Sequence, residues 1–234
     1  TTGKLELFAA WPEAALASAA CDTAYKGVHL TRTMLLTGDY VLDLYRAASD
    51  TAHTYDWVWH NFGEVTTDVA LTPCTEPLGK SDGYQHLSDL RAGVADGDWS
   101  ATFTLPQGQT RLWMLGAPGT QLYFGQGYAY NPPRPCPLVL ARRPGPTAHF
   151  ASLLTFGAKL PEITAFAAVP VTVGGKEVSP DEAWAARLSR PDREDLFLIT
   201  RLAGEKTFAG LKTTARAVYA VRQGGRVVSL QQVD

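Results

Sequence analysis

The segment His53-Thr54-Tyr55-Asp56-Trp57-Val58-Trp59-His60-Asn61-Phe62-Gly63-Glu64 gathers imidazoles, indoles, a phenol and carboxylates into one short run. Histidine, tyrosine and carboxylate side chains are the usual proton carriers of general acid and base catalysis. Tryptophan adds a broad aromatic face with a polar edge, suited to stacking on a sugar ring or to covering a sheet. As a β-strand the run splits by parity, because successive side chains point to opposite faces. His53, Tyr55, Trp57, Trp59 and Asn61 take one face, and Thr54, Asp56, Val58, His60 and Phe62 take the other. The two histidines are thereby separated. His60 shares its face with Asp56, a carboxylate able to orient or charge the imidazole, or simply to accept its hydrogen bond. His60 and Tyr55 are the catalytic candidates, and Trp57, Trp59 and His53 are candidates for binding substrate. The competing reading gives Tyr55, Trp57 and Trp59 to the core, with each polar tip finding a buried partner.

Other residues extend this set. Tyr84 and His86 flank Gln85 in a polar, glycine-punctuated stretch over 74–97, which reads as a long surface excursion of the kind that often carries function. Arg32 and Arg142 suit charge-assisted pairing with an acidic sugar, as does Arg143, although ion pairing at the surface is the commoner use. Tyr123, Tyr128 and Tyr130, interleaved with Gly125 and Gly127, either line a cleft or complete a turn. Asp39, Asp43, Asp56 and Glu64 make a glycosidase pair only if the fold brings two of them together. No GxSxG elbow, HExxH helix, P-loop or dinucleotide fingerprint is present. Cys21, Cys74 and Cys136 are odd in number and widely spaced, so neither a disulfide framework nor a CxxC metal site is implied. No metal ligand is assigned.

The elements that position these residues read as strands. Short β-branched and aromatic runs broken by Gly, Pro, Asp and Asn recur along the chain. They predict strands over 5–9, 14–20, 28–36, 40–47, 53–62, 65–71, 99–105, 110–115, 121–124, 138–142, 149–156, 163–173, 196–200, 215–222 and 227–232. Gly38-Asp39 and Gly224-Gly225 mark tight hairpins. Asn131-Pro132-Pro133-Arg134-Pro135 and Arg143-Pro144-Gly145-Pro146 read as loops, since proline cannot donate to a ladder. Residues 180–187 are the one helix candidate, with Ser179 as cap and Asp181 and Glu182 in the first turn, though the same residues also fit a strand. The fold class is all-β, a large antiparallel sandwich, read as a single domain over 1–234.

Composition bounds the function. With 45% hydrophobic and 19% charged residues the chain is globular, and a net charge of -2 offers no footprint for nucleic acid. No run approaches the roughly 18 apolar residues that span a membrane, so a soluble protein is expected. The start Thr1-Thr2-Gly3 reads as that of a processed or excised segment. A terminal threonine also opens the N-terminal nucleophile class as a minor alternative.

The order of segments resembles a known family. Gly27-Val28-His29-Leu30-Thr31-Arg32-Thr33, then Gly38-Asp39-Tyr40-Val41-Leu42-Asp43-Leu44-Tyr45-Arg46, then the His53–His60 run, is similar to the C-terminal β-sandwich of heparinase II/III-like polysaccharide lyases, a group that includes several alginate lyases. Leu138-Val139-Leu140-Ala141-Arg142-Arg143 followed by His149-Phe150-Ala151-Ser152-Leu153-Leu154 resembles the strand pair late in that domain. The resemblance implies a module of an enzyme that cleaves uronate-containing acidic polysaccharide by β-elimination, secreted or periplasmic. It further implies a partner domain, an N-terminal helical toroid that supplies the principal catalytic groups, and in the parent enzymes a zinc ion often held by His and Asp. The toroid is absent from this sequence, and no zinc ligand of the family aligns with any of its residues. The sandwich would then form one wall of the substrate cleft. A non-catalytic carbohydrate-binding module and a purely structural domain are the alternatives.

Overall fold

Alternation of apolar and polar residues folds the chain almost entirely into antiparallel β-strands, and no α-helix forms. The computed structural model describes all residues, Thr1–Asp234. They gather into two compact units, Thr1–Pro161 and Glu162–Asp234. The architecture is an all-β sandwich, as the strand pattern predicts.

In the first unit the strands are β1 (Lys4–Ala10), β2 (Ala14–Cys21), β3 (Val28–Thr37), β4 (Tyr40–His60), β5 (Glu64–Thr67), β6 (Thr72–Pro73), β7 (Ser88–Ala95), β8 (Trp99–Leu105), β9 (Gly108–Met114), β10 (Thr120–Ala129) and β11 (Arg134–Gly157). They form one sheet in the order β1-β2-β3-β4-β11-β10-β7-β6, with β9, β8 and β5 branching from β11. Two strands are exceptional in length, β4 with 21 residues and β11 with 24. They pair along nearly their whole extent, Leu138 opposite His60 at one end and Thr155 opposite Tyr40 at the other. The first half of β11 also carries β10, while its second half carries β9. The sheet therefore forks, and its branches close on each other. Trp99 of β8 meets Phe124 of β10 edge to face at 6.4 Å, within a core that includes Trp57, Phe103, Leu112, Leu122, Val139 and Phe150.

The fork sits at a break in register, where residues 49–52 of β4 and Pro146 of β11 drop out of the ladder. The β4–β11 register shifts between Gly145 and Thr147, where Pro146 has no N–H to give and Gly145 adopts φ 145°, a region that favours glycine. Strands that pass from one layer of a sandwich to the other do so at such bends. This overturns the reading of Arg143–Pro146 as a loop: the ladder runs through it, with Pro144 opposite Thr54. It also merges the strands expected over 40–47 and 53–62 into one. Arg143 holds the bend from inside. Its buried guanidinium donates to Thr120 Oγ1 at 3.0 Å, to Leu115 O at 2.8 Å and to His149 O, and lies over the Phe150 ring. Burial pushes its pKa down to about 10. Arg143 is thus a clamp on backbone carbonyls, not a sugar ligand.

The second unit contains β12 (Ala165–Val169), β13 (Val171–Val173), β14 (Lys176–Glu177), β15 (Ala183–Ser189), β16 (Glu194–Thr200), β17 (Lys206–Phe208), β18 (Leu211–Thr213), β19 (Ala217–Gln223) and β20 (Arg226–Val233). A sheet ordered β12-β15-β16-β19-β20 and a smaller one ordered β14-β13-β17-β18 share a core of Val171 and Phe208 with Ala185, Leu196, Leu198 and Val218. The helix expected over 180–187 does not form. Its capping chemistry is present, since Ser179 Oγ accepts from Asp181 N and Glu182 accepts from Ser179 N. The turn then stops, because 183–189 pairs with β12 on one side and β16 on the other.

One buried carboxylate ties the first unit together. Asp43 of β4, 0% exposed, accepts from Arg32 Nε at 2.9 Å, Arg32 Nη2 at 2.7 Å and Trp57 Nε1 at 3.1 Å. Asp43→Ala leaves an indole N–H without a partner and Arg32 without its counter-charge. The loss is expected to be about 3 kcal/mol, since breaking a buried charged pair exposes the desolvation of what remains. A urea midpoint that falls with unchanged m would confirm it, and a midpoint equal to the parent's would refute it.

Candidate functional site

The register of β4, β11 and β10 composes a second face, turned away from the core. Asp56, Val58 and His60 of β4 stand opposite Arg142, Leu140 and Leu138 of β11, and Leu140 and Leu138 stand opposite Tyr123 and Gly125 of β10. Over this face folds the segment between β6 and β7, which contains a single 3₁₀ turn at Tyr84–His86. The expected excursion over 74–97 is therefore only partly one, because its later portion enters the sheet as β7 beside β10.

The 3₁₀ turn and the strand face enclose a cleft of about 380 Å³, within the roughly 300–1,000 Å³ of small-molecule sites. Val58 and Leu140 make an apolar floor. His60, Tyr84, His86 and Tyr128 stand around it. Glycine hollows the floor: a Cβ at Gly127 would lie 2.9 Å from His60 Nε2, so a side chain there would displace the imidazole. Tyr128 leaves 57% of its surface exposed, and its ring meets that of His86 edge on at 6.3 Å.

Beside the cleft, Asp56 is fully engaged. Arg142 grips it through two parallel bonds, Nε to Oδ1 at 2.8 Å and Nη2 to Oδ2 at 2.7 Å, and the Tyr84 hydroxyl donates to Oδ2. The guanidinium lies 5.5 Å from the Tyr123 ring and 5.8 Å from the Tyr84 ring. Such a fork holds its charge firmly, and the bond to Asp56 raises the pKa of Arg142 further. Burial, reinforced by the hydrogen bond to Asp56, pushes the Tyr84 phenol up to about 12. His60 is exposed at the strand end and makes no hydrogen bond within the chain, yet the cleft walls desolvate it enough to hold its pKa below the ordinary 6.5.

The candidates named from sequence thus divide. His60, Tyr84 and His86 come together in the cleft, with Arg142 at its side. Tyr55 and Trp57 are buried in the core, Tyr55 donating to Pro146 O at 3.3 Å and Trp57 to Asp43, while Trp59 stacks on Trp57 at 6.3 Å and packs against the same core. Their ring faces are spent on packing. His53 is exposed outside the cleft, within hydrogen-bonding distance of Thr51 Oγ1 at 3.2 Å, and Arg32 is bound to Asp43. The expected His60–Asp56 pair does not form, because Asp56 already serves Arg142 and Tyr84. Tyr128 was visible as part of an aromatic, glycine-rich stretch. The Asp56–Arg142 pairing needed the strand register, which no local pattern supplies.

No protein-family model matches the chain, and no curated protein does either. Solved structures do. A heparinase III superposes with a TM-score of 0.52 at 9% identity, covering 95% of this chain and 28% of that one. A mutant of the heparan sulfate lyase HepC from Pedobacter heparinus gives 0.50 at 14% identity, covering 92% of this chain and 28% of that one. The chain has the fold of part of heparinase III. It spans little more than a quarter of the length of those structures, and at such identities the likeness is one of fold. The zinc that the family resemblance implies for parent lyases finds no ligand set in this heparinase III-like sandwich, since no three His, Cys, Asp or Glu side chains converge. No helix is long and apolar enough to cross a membrane.

Two of the shifted groups, His60 and Tyr84, give opposite pH signatures. Unfolded His60 protonates near 6.5 while the folded residue resists, so the unfolded state binds more protons in that window and stability falls as pH drops below 6.5. Tyr84 contributes stability that is complete below its ordinary value of 10 and is lost as pH rises through about 12. An imidazole NMR titration of His60 is expected to show a midpoint under 6.5, and His60→Gln to flatten the acid limb of the stability curve. A midpoint at or above 6.5 would contradict the assignment.

Proposed function

We propose that this chain is a β-sandwich module of a polysaccharide lyase that cleaves a uronate-containing acidic polysaccharide by β-elimination, and that it forms one wall of the substrate cleft. The observation that carries the reading is the cleft between the 3₁₀ turn and the strand face, where His60, His86, Tyr84 and Tyr128 converge in a chain with a heparinase III fold. Ligand sites of this kind combine an apolar floor with a few placed polar groups. In this assignment Tyr128 offers an exposed ring to a sugar, and His60 and His86 meet its hydroxyls.

Elimination at a uronate requires neutralising the carboxylate, removing the C5 proton and protonating the leaving oxygen at C4. The cleft is poorly equipped for all three. Arg142 is committed to Asp56, Tyr55 is buried away from it, and His60 has no carboxylate to orient it. We therefore assign proton transfer to a helical toroid domain working beside the sandwich, and place the enzyme outside the cytoplasm, where a polymer is met. A carbohydrate-binding module without catalysis is the second reading, favoured by the same lack of an oriented base.

Titration against alginate, heparin, hyaluronan and a neutral glucan, with absorbance of unsaturated product followed in the same cell, tests the proposal. The 234-residue chain is expected to bind an acidic polymer without turnover. Tyr128→Ala is expected to weaken binding by roughly tenfold or more, the loss of one stacking contact of about 1–3 kcal/mol. Product formation by the chain alone would overturn the division of labour, and failure to bind any acidic polymer would overturn the reading itself.

A further inference from the structure

A polymer in which acidic and uncharged rings alternate would offer the cleft two kinds of ring, and its lining says which kind it takes. No lysine or arginine lines it, and its one fully charged side chain is Asp82. Arg142, on the same sheet face, is the cation a uronate would need. The Nε–Nη2 edge of its guanidinium is taken up by Asp56, whose Oδ2 also accepts from the Tyr84 hydroxyl, and the rings of Tyr84 and Tyr123 lie 5.8 and 5.5 Å from its central carbon. Turning that edge to a uronate would strand Asp56, a carboxylate only 9% exposed, without its counter-charge, and Arg142 is not among the residues that line the cleft. Burying a second carboxylate against Val58 and Leu140 with no cation to meet it is strongly unfavourable, and Asp82 adds repulsion. His60 offers no remedy near neutrality, since desolvation by the cleft walls disfavours its charged form.

Resting on the carbohydrate reading of the cleft, we infer that this site holds an uncharged sugar ring of the polymer, stacked on Tyr128 with hydroxyl or amide groups turned to His60 and His86, and that it excludes the uronate. The neighbouring uronate is then met elsewhere, by groups outside this cleft. Recognition of this kind is built from an aromatic face and neutral hydrogen bonds, so salt has little to screen.

The test compares two tetrasaccharides of equal length by calorimetry, a neutral N-acetylhexosamine oligomer and a uronate oligomer, at about 50 mM and about 500 mM salt. The neutral oligomer is expected to bind at least about tenfold more tightly, with less than about a twofold change between the two salts, and to shift the NMR signals of His60, His86 and Tyr128. Asp56→Asn, which unpairs Arg142, is expected to raise uronate affinity several-fold at low salt and to lose that gain at high salt. A wild-type chain that prefers the uronate tetramer with a steep salt dependence overturns this inference while leaving the cleft as a sugar site. Binding of neither tetramer overturns the carbohydrate reading and this inference together. A folded Asp56→Asn variant with no gain shows that the closed Arg142 pair is not what excludes the acid, and overturns the argument at that step.

Discussion

The pairing of β4 with β11 is the constraint on which the first unit hangs. Every other strand of its sheet is attached to one of these two, directly or through one or two intervening strands. Because side chains alternate along a strand, the register of this pair decides at one stroke which residues enter the core and which face the cleft. With Arg142 opposite Asp56 and Leu140 opposite Val58, Trp57 and Tyr55 fall inward and His60 falls outward. A slip of one residue would exchange them, turning two large aromatic rings outward and an imidazole and a carboxylate toward the apolar core. Core and cleft are two sides of a single choice, and the break in register at Gly145–Thr147 fixes that choice where the strands bend.

Both faces of β4 then solve the same electrostatic problem in the same way. On the core side Asp43 binds the fork of Arg32 and the indole N–H of Trp57; on the cleft side Asp56 binds the fork of Arg142 and the hydroxyl of Tyr84. Each carboxylate is shielded from water and each receives two bonds from a guanidinium and one from an aromatic donor, which offsets the cost of burying it. The consequence for chemistry is subtractive. Two arginines that look available in the sequence are spent on structure, and the polar groups left to meet a ligand are imidazoles and phenols. Tyr84 has a further duty, because its bond to Asp56 is also what holds the 3₁₀ turn over the strand face and so gives the cleft its roof.

Much of this was legible beforehand, and the failures have physical causes. Parity along 53–62 correctly separated His53 from His60 and gave Tyr55, Trp57 and Trp59 a common face, since the period of two is a property of any strand. The all-β class and the hairpins at Gly38-Asp39 and Gly224-Gly225 followed from local turn chemistry. What local reading missed was non-local. Arg143–Pro146 looked like a loop because two prolines cannot both sit in a regular ladder, yet one sits at the break in register and the other is tolerated opposite Thr54. The 180–187 run has a capped start, and it is flanking strands on both sides that pull 183–189 into a sheet. Asp56 could be matched to His60 by parity alone, whereas its real partner is distant in sequence and adjacent only through register.

The same distinction explains how a fold can extend over 92–95% of this chain while identity to its structural neighbours stays at 9–14%. What the β4–β11 ladder demands is alternation, a bend with a break in register, and satisfied carboxylates, and many sequences meet those terms. The cleft demands more of particular residues. Gly127 must lack a Cβ for His60 to lie where it does, and Tyr128 must remain exposed to be of use. Tyr128 is exposed, so it is free to change without disturbing the core. Fold likeness therefore constrains the sandwich tightly and its ligand hardly at all, and under the proposed carbohydrate reading the kind of ring has to be decided from the charges in the cleft. There the absence of a lysine or arginine among the lining residues is the decisive fact.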